Sequence, residues 1–120
     1  MIEAGKYKVM FSGDTSHTTL FKGLRNSKAI DLAIMPIGAY NPWITSHCTP
    51  EQAIEMAGWA GAERIMPVHH QTFILGREPV DEPIERFKAR LGSDQGRAVA
   101  HQIGSEWSVI LRECESLLLP

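Results

Sequence analysis

Val9-Met10-Phe11-Ser12-Gly13-Asp14-Thr15 is an apolar run that stops abruptly at Gly-Asp-Thr. The run is short, β-rich and closed by a glycine, which predicts a strand over about residues 7–12. Its end delivers one carboxylate, Asp14, to the strand's mouth, where a hard or borderline metal ion could be held. A second arrangement of the same kind lies downstream, where Ile65-Met66-Pro67-Val68 runs into His69-His70-Gln71-Thr72-Phe73. Two apolar strands, each presenting a metal-competent side chain at its C-terminal end, point to metal-dependent chemistry.

The rest of the chain alternates strand and helix patterns without repeats or low-complexity segments. A short helix is expected near Leu20 to Asn26, and a second strand over about Leu32 to Pro36 opens into a long loop from Gly38 to Cys48. The next helix is well signposted. Thr49 is placed to cap it, Pro50 stands at its first position, Gln52 can complete a capping box, and Gly61 follows its end. Ala53, Ile54, Ala57 and Ala60 share one face at helical spacing, and their small size predicts close approach to a sheet. A third strand is expected over about Arg64 to Val68, and a last helix, about Pro83 to Leu91, should bury Ile84, Phe87 and Leu91 and stop at Gly92. Two further strands, Ala98 to Ile103 and Trp107 to Leu111, are expected around a Gly104-Ser105 turn. Leu117-Leu118-Leu119 reads as a docking tail. The pattern is α/β with a mostly buried sheet, and loops after strand ends should carry the site.

Composition narrows the function classes. With 120 residues, 43% of them hydrophobic, the chain has material for one core and no second domain. A net charge of −2 argues against nucleic acid or an anionic membrane as the main partner. No apolar stretch approaches the ~20 residues that span a bilayer. Met1-Ile2-Glu3-Ala4-Gly5-Lys6 lacks the regions of a signal peptide. Only Cys48 and Cys114 are present, so no disulfide framework is suggested, and a cytoplasmic, reducing compartment is expected. Both thiols read as small packed groups and not as nucleophiles.

Taken together, Phe11-Ser12-Gly13-Asp14-Thr15, Pro36-Ile37-Gly38-Ala39-Tyr40, His47-Cys48-Thr49-Pro50-Glu51-Gln52-Ala53, Val68-His69-His70-Gln71-Thr72-Phe73 and Glu78-Pro79-Val80-Asp81-Glu82-Pro83 resemble the C-terminal half of the metallo-β-lactamase fold. The similarity is to the branch holding the phospholipase D that hydrolyses N-acylphosphatidylethanolamine, and to the ascorbate-6-phosphate lactonase-like proteins. It runs from about Lys8 to about Ser108. The resemblance implies half of an αββα sandwich: a mixed sheet with helices on one face, residues 1–120 forming one partial domain. That superfamily takes most of its metal ligands from a His-x-His-x-Asp-His motif and a further histidine in the N-terminal half, and this chain has no such motif. The expectation is therefore half an enzyme, with the missing half of the fold as its natural partner. The exposed inner sheet face could also lead to a homo-oligomer.

By the same resemblance, Asp14 corresponds to the carboxylate that bridges two metals, and His69 to a terminal ligand. Read on its own, Asp14 could equally be an Asx-turn or helix-capping residue, and His69 a strand-end histidine bonded to backbone. Thr15 would orient the carboxylate from behind it. His70 stands where relatives usually have tryptophan, which leaves open which imidazole faces the metal; His69 is the expected one. His47 is expected as a non-ligand overhanging the metals, stabilising developing charge or protonating a leaving group. Tyr40 would be a phenol donor above the site or a packed aromatic. His17 and Thr72 are placed at the mouth, and His101 is read as structural. With two ligands carried over, metal binding by this chain alone is expected to be weak.

For a complete protein the resemblance implies hydrolysis assisted by two divalent ions, zinc foremost, roughly 3.5–4 Å apart, with a water activated between them. Asp14 would hold the pair, while His47 or Tyr40 handles oxyanion charge. Phosphodiesters and lactones are the implied small-molecule or lipid-like substrates; the lack of an amphipathic membrane-binding segment leans away from a bilayer lipid. The alternative is a non-catalytic α/β module that keeps half of the fold for binding or assembly.

Overall fold

The computed structural model describes residues 1–25 and 29–109. Four strands form one mixed sheet in chain order: β1 (Ile2–Ala4), β2 (Tyr7–Phe11), β3 (Ile30–Pro36) and β4 (Ala62–Val68). β1 and β2 form an antiparallel hairpin, whereas β2–β3 and β3–β4 are parallel. The register sets Met10 beside Ala33 beside Ile65, and Phe11 beside Ile34 beside Met66. Strand side chains alternate between faces, so the first row joins the core while the second row is partly or fully exposed. Val9 and Val68 lie on that second face and are also only half-buried.

β1 extends the sheet beyond the sequence expectation. Gly5 and Lys6 join Ala4 to Tyr7, and Gly5 adopts φ 59°, which a two-residue hairpin loop demands and glycine supplies without strain. The short helix expected near Leu20 is a 3₁₀ segment, Thr19–Leu24, capped by the Thr18 side chain accepting from the Leu20 amide. A four-residue turn, α1 (Tyr40–Trp43), follows β3.

α2 (Pro50–Trp59) has the expected start: Thr49 accepts from the Gln52 amide and the Gln52 side chain accepts from the Thr49 amide. Its small face, Ala53, Ile54, Ala57 and Ala60, lies in the core with Met56 beside it. α3 (Glu82–Leu91) buries Ile84, Phe87 and Leu91 in the same core and ends at Gly92, with φ 54°. Arg86 clamps the two helices. Its Nε and Nη2 donate to the two oxygens of Glu51 at 2.9 and 2.8 Å, and its guanidinium lies 4.8 Å over the Tyr40 ring.

The two C-terminal strands do not form among the described residues. Ala98 makes one isolated parallel bridge to Ile65, and the Val99 amide donates to the Ile65 carbonyl at 3.0 Å. Ala100 then turns to φ 46°, a left-handed conformation that ends the pairing after one step. The turn itself is present, with the Ser105 amide donating to the Gln102 carbonyl at 3.0 Å. Residues 110–111 at the end of the second expected strand lie outside the described residues, as do Cys114 and Leu117–Leu119. No helix among the described residues is long and apolar enough to cross a membrane.

The helix clamp carries a pH prediction. Burial pushes the Glu51 carboxyl up, but hydrogen bonds from Arg86 and from its own backbone amide outweigh it and hold the group below its ordinary 4.5. A carboxyl depressed in the folded state stabilises the fold above its unfolded pKa, and that contribution is lost as pH falls through the folded value. Both side chains are 37% exposed, so the stabilisation is screened and modest. Thermal melts between about pH 6 and about pH 3 should show a smaller acid loss in Arg86→Met than in the parent. Equal pH slopes in the two would show that the clamp does not set the acid response.

Candidate metal centre

Because β2, β3 and β4 are parallel, their C-terminal ends share one edge of the sheet, and the loops leaving that edge meet. Asp14 lies three residues past β2, His69 directly follows β4, and His47 sits in the loop between β3 and α2. These three side chains form a cluster whose potential ligand atoms all lie within 4.8 Å of one another. His47 Nε2 is 3.9 Å from Asp14 Oδ2, and His69 Nε2 is 3.8 Å from Asp14 Oδ1. The two imidazoles stack with centroids 5.2 Å apart.

Those separations are too long for hydrogen bonds, so the cluster is not held by its own polar contacts. They are close to the spacing of ligands around a tetrahedral ion, where bonds of about 2.0–2.2 Å put neighbouring donor atoms about 3–4 Å apart. The carboxylate is open to solvent at 62% exposure, while the His47 and His69 side chains are 16% and 26% exposed. Two imidazoles and one carboxylate form a donor set suited to zinc or a similar divalent ion.

Each imidazole is positioned by backbone. The Ser46 and His47 amides both donate to the Trp43 carbonyl, at 3.0 and 2.9 Å, in a turn that brings the His47 ring back over α1. His47 Nδ1 lies 3.3 Å from the same carbonyl and 3.1 Å from Ser46 Oγ. A carbonyl only accepts, so this contact favours a proton on Nδ1, the tautomer that leaves Nε2 facing the cluster. His69 has φ 63°, and the Ile37 amide donates to the Val68 carbonyl at 3.1 Å just before it. Gly38 packs so tightly here that a Cβ on it would stand 2.1 Å from the His69 carbonyl oxygen. His69 Nδ1 is buried without a hydrogen-bond partner among the described residues. A buried orphan of this kind marks a site whose polar contacts are incomplete.

Other residues expected at the site are placed elsewhere. His70 is buried behind it, with Nδ1 2.9 Å from Gln71 Oε1 and Nε2 3.3 Å from the Pro67 carbonyl, and burial lowers its pKa despite those bonds. Of the two adjacent imidazoles, it is therefore His69 that reaches the cluster. Tyr40 is buried, and its hydroxyl donates to Glu82 on α3, so it acts as a packed aromatic in the helix clamp instead of a donor above the cluster. Burial, and then the Glu82 contact, push its pKa upward. His17 turns to α2, bonding Glu55 at 2.8 Å with its ring against Trp59. The Thr15 hydroxyl donates to the Ser16 carbonyl and not to the carboxylate, while the Thr72 hydroxyl donates to the His70 carbonyl and its residue lines a hollow with His69. The Cys48 thiol is buried against the Pro36 carbonyl, and burial pushes its pKa up to about 12, which makes it inert. The sequence placed His47 over the site as a non-ligand; its donor atom within 4.8 Å of those of Asp14 and His69, and the hollow that Trp43 and Leu75 line with both imidazoles, were not foreseen.

The α/β sheet thus carries a carboxylate–imidazole cluster at the ends of its parallel strands, with donor atoms at the spacing of metal ligands. Residues 1–70 match the family model described as the beta-lactamase superfamily domain, and the chain belongs to the metallo-β-lactamase superfamily. It is similar to an uncharacterised protein of Mycobacterium tuberculosis (strain H37Rv), at 36% identity over 69% of this chain and 24% of the relative. It is also similar to a UPF0173 metal-dependent hydrolase of Geobacillus thermodenitrificans, at 30% identity over 76% of this chain and 36% of that protein. A solved candidate zinc-dependent hydrolase of the metallo-β-lactamase superfamily from Thermotoga maritima aligns with 64% of this chain and 36% of its own, at 25% identity and a TM-score of 0.46. The chain thus spans between a quarter and about a third of the length of the curated relatives it matches.

The close approach at Gly38 gives the second prediction. The clashing atom in Gly38→Ala is backbone, so β3 or the His69 turn must shift, at a cost of about 1–3 kcal/mol as for other overpacked sites. Urea melts should show that loss, and the ring resonances of His69 should move while those of His17 stay in place. Unchanged stability and unchanged His69 signals would show that the contact does not fix the imidazole.

Proposed function

We propose that Asp14, His47 and His69 together hold one divalent metal ion, zinc being best suited, and that this centre serves the hydrolysis of an ester-type bond in a phosphodiester or lactone. The observation that carries the reading is the convergence of two imidazoles and a carboxylate, from three separate loops, to within 4.8 Å. The donor count is one more than the two ligands expected from sequence, so the chain should bind an ion better than that expectation allowed. Membership of the superfamily and the metal-dependent hydrolase relatives support the reaction class.

Within this reading each side chain has a distinct task. Asp14 supplies the anionic donor from the solvent side. His47 supplies an imidazole whose Nδ1 faces the Trp43 carbonyl, leaving Nε2 for the ion. His69 supplies the second imidazole from a backbone turn held by Gly38. A bound divalent ion supplies Lewis acidity and lowers the pKa of water. The hollow beside both imidazoles, lined by Ala39, Trp43, Ser46 and Leu75, receives the substrate and keeps bulk water from its apolar side. Three protein donors leave room for further ligands, and a second ion in the complete enzyme would draw on residues beyond this cluster.

Zinc titration of the metal-free chain, followed by equilibrium dialysis, tests the assignment. One ion per chain is expected, with affinity reduced at least about tenfold in Asp14→Ala, His47→Ala and His69→Ala and unchanged in His70→Ala. Parent affinity in His47→Ala would return that residue to a non-ligand role. Absence of binding in the parent would overturn the proposed centre.

A further inference from the structure

Asp14 makes no hydrogen bond within the cluster, and its carboxylate is largely exposed. Its position therefore depends on how the backbone of the loop from Ser12 to Thr18 is fastened. At the near end, the Ser12 amide and hydroxyl reach the Ile34 carbonyl of β3, at 3.2 and 3.3 Å. Beyond Ser12 the chain turns at Gly13, with φ 62°; its carbonyl accepts from the Ser12 hydroxyl at 2.8 Å, and nothing from outside the loop stands where a Cβ would be. The Thr15 hydroxyl bonds within the loop, to the Ser16 carbonyl.

The far end is fastened by the His17 side chain. His17 Nε2 lies 2.8 Å from Glu55 Oε2 on α2, thirty-eight residues away in the chain, and its ring lies 5.3 Å from the Trp59 ring. Trp59 is in turn covered by Lys22, whose ammonium stands 4.4 Å over the indole. The clasp thus ties the loop to the helix whose N-terminus directly follows His47 and Cys48. One rigid element then carries both His47, through its leading loop, and the outer anchor of Asp14.

From this we infer that His17, through its clasp to Glu55 and Trp59, is a positioning residue that sets Asp14 at the distance from His47 and His69 that metal binding requires. The inference rests on the proposed centre and extends it to a residue that touches neither ligand nor substrate. Its consequence is that the entropy of ordering the Asp14 loop is met before the ion arrives; a loose loop would be ordered at the expense of affinity.

The test uses the full chain in four forms: parent, His17→Ala, Glu55→Ala and the double variant. Without metal, amide hydrogen exchange at residues 13–16 should speed up in each variant, while exchange in β3 and β4 is unchanged. With zinc, each single variant should bind about tenfold more weakly, at the low end of the losses seen when a supporting partner of a metal ligand is removed. The double variant should be no worse than either single one, because both remove the same clasp. Glu55→Gln, which keeps an acceptor oxygen, should restore most of the affinity. Parent-like exchange at residues 13–16 would overturn the inference, as would additive losses in the double variant. Failure of the parent to bind zinc would strike the proposed centre alone, since the exchange measurement still decides whether His17 orders the loop.

Discussion

The backbone of Gly38 lies against the carbonyl of His69, in space that even one methyl group would fill. This contact prolongs the parallel pairing of β3 and β4 past its last ladder positions, through the Ile37 amide and the Val68 carbonyl. Where the two strands finally part, His69 is turned to a positive φ and its imidazole is sent towards Asp14. On the other side of the same contact, Ala39 also takes a left-handed conformation and starts the loop that returns with His47. Two of the three donors are thus set by one close approach of backbones, which only glycine permits.

The helical layer keeps that loop from drifting. Tyr40 follows Ala39 directly, is buried, and is bonded to Glu82, while Arg86 covers its ring and grips Glu51 on α2. Below it, Phe87, Met56, Met35 and Ile65 are fully buried between helices and sheet. Their burial is the main stabilising term, and each such side chain contributes on the order of 1.5–3 kcal/mol. The polar clamp adds orientation more than stability, since its charges remain partly solvated. The site therefore rests on a dry core and a backbone contact, with Asp14 reaching in from a loop tied at its two ends.

Much of this was legible in the sequence because it is local. The capping box at Thr49 and Gln52, the small face of α2, the apolar face of α3 and the glycine stops at Gly61 and Gly92 are all written within a few residues of where they act. Asp14 and His69 could be read as candidate ligands because each follows a short apolar strand. The β1–β2 hairpin was not read from the sequence, because the three exposed residues Ile2-Glu3-Ala4 are too few to carry an apolar pattern and Gly5 was the one local turn signal. Ala98 to Ile103 has strand composition, yet the left-handed turn at Ala100 stops it after one bridge, and no residue there signals that turn. His47 was expected over the site and His17 at its mouth, but the contacts each makes went unread for a different reason. Their partners are non-local: His47 meets Asp14 and His69 only because three parallel strands end on one edge, and His17 meets Glu55 only once α2 has docked. The spacing of five histidines along the chain does not by itself fix the distances at which they meet.

The most direct test of the central claim is long-range proton–nitrogen correlation of the histidine rings while zinc is added to the metal-free chain. It reports each ring nitrogen separately, so it asks which imidazoles bind and through which atom. The account predicts large changes at Nε2 of His47 and His69, saturating together at one equivalent, with His17 and His70 nearly still. Binding seen at His70, changes at His69 without His47, or no saturable change at any ring would contradict it.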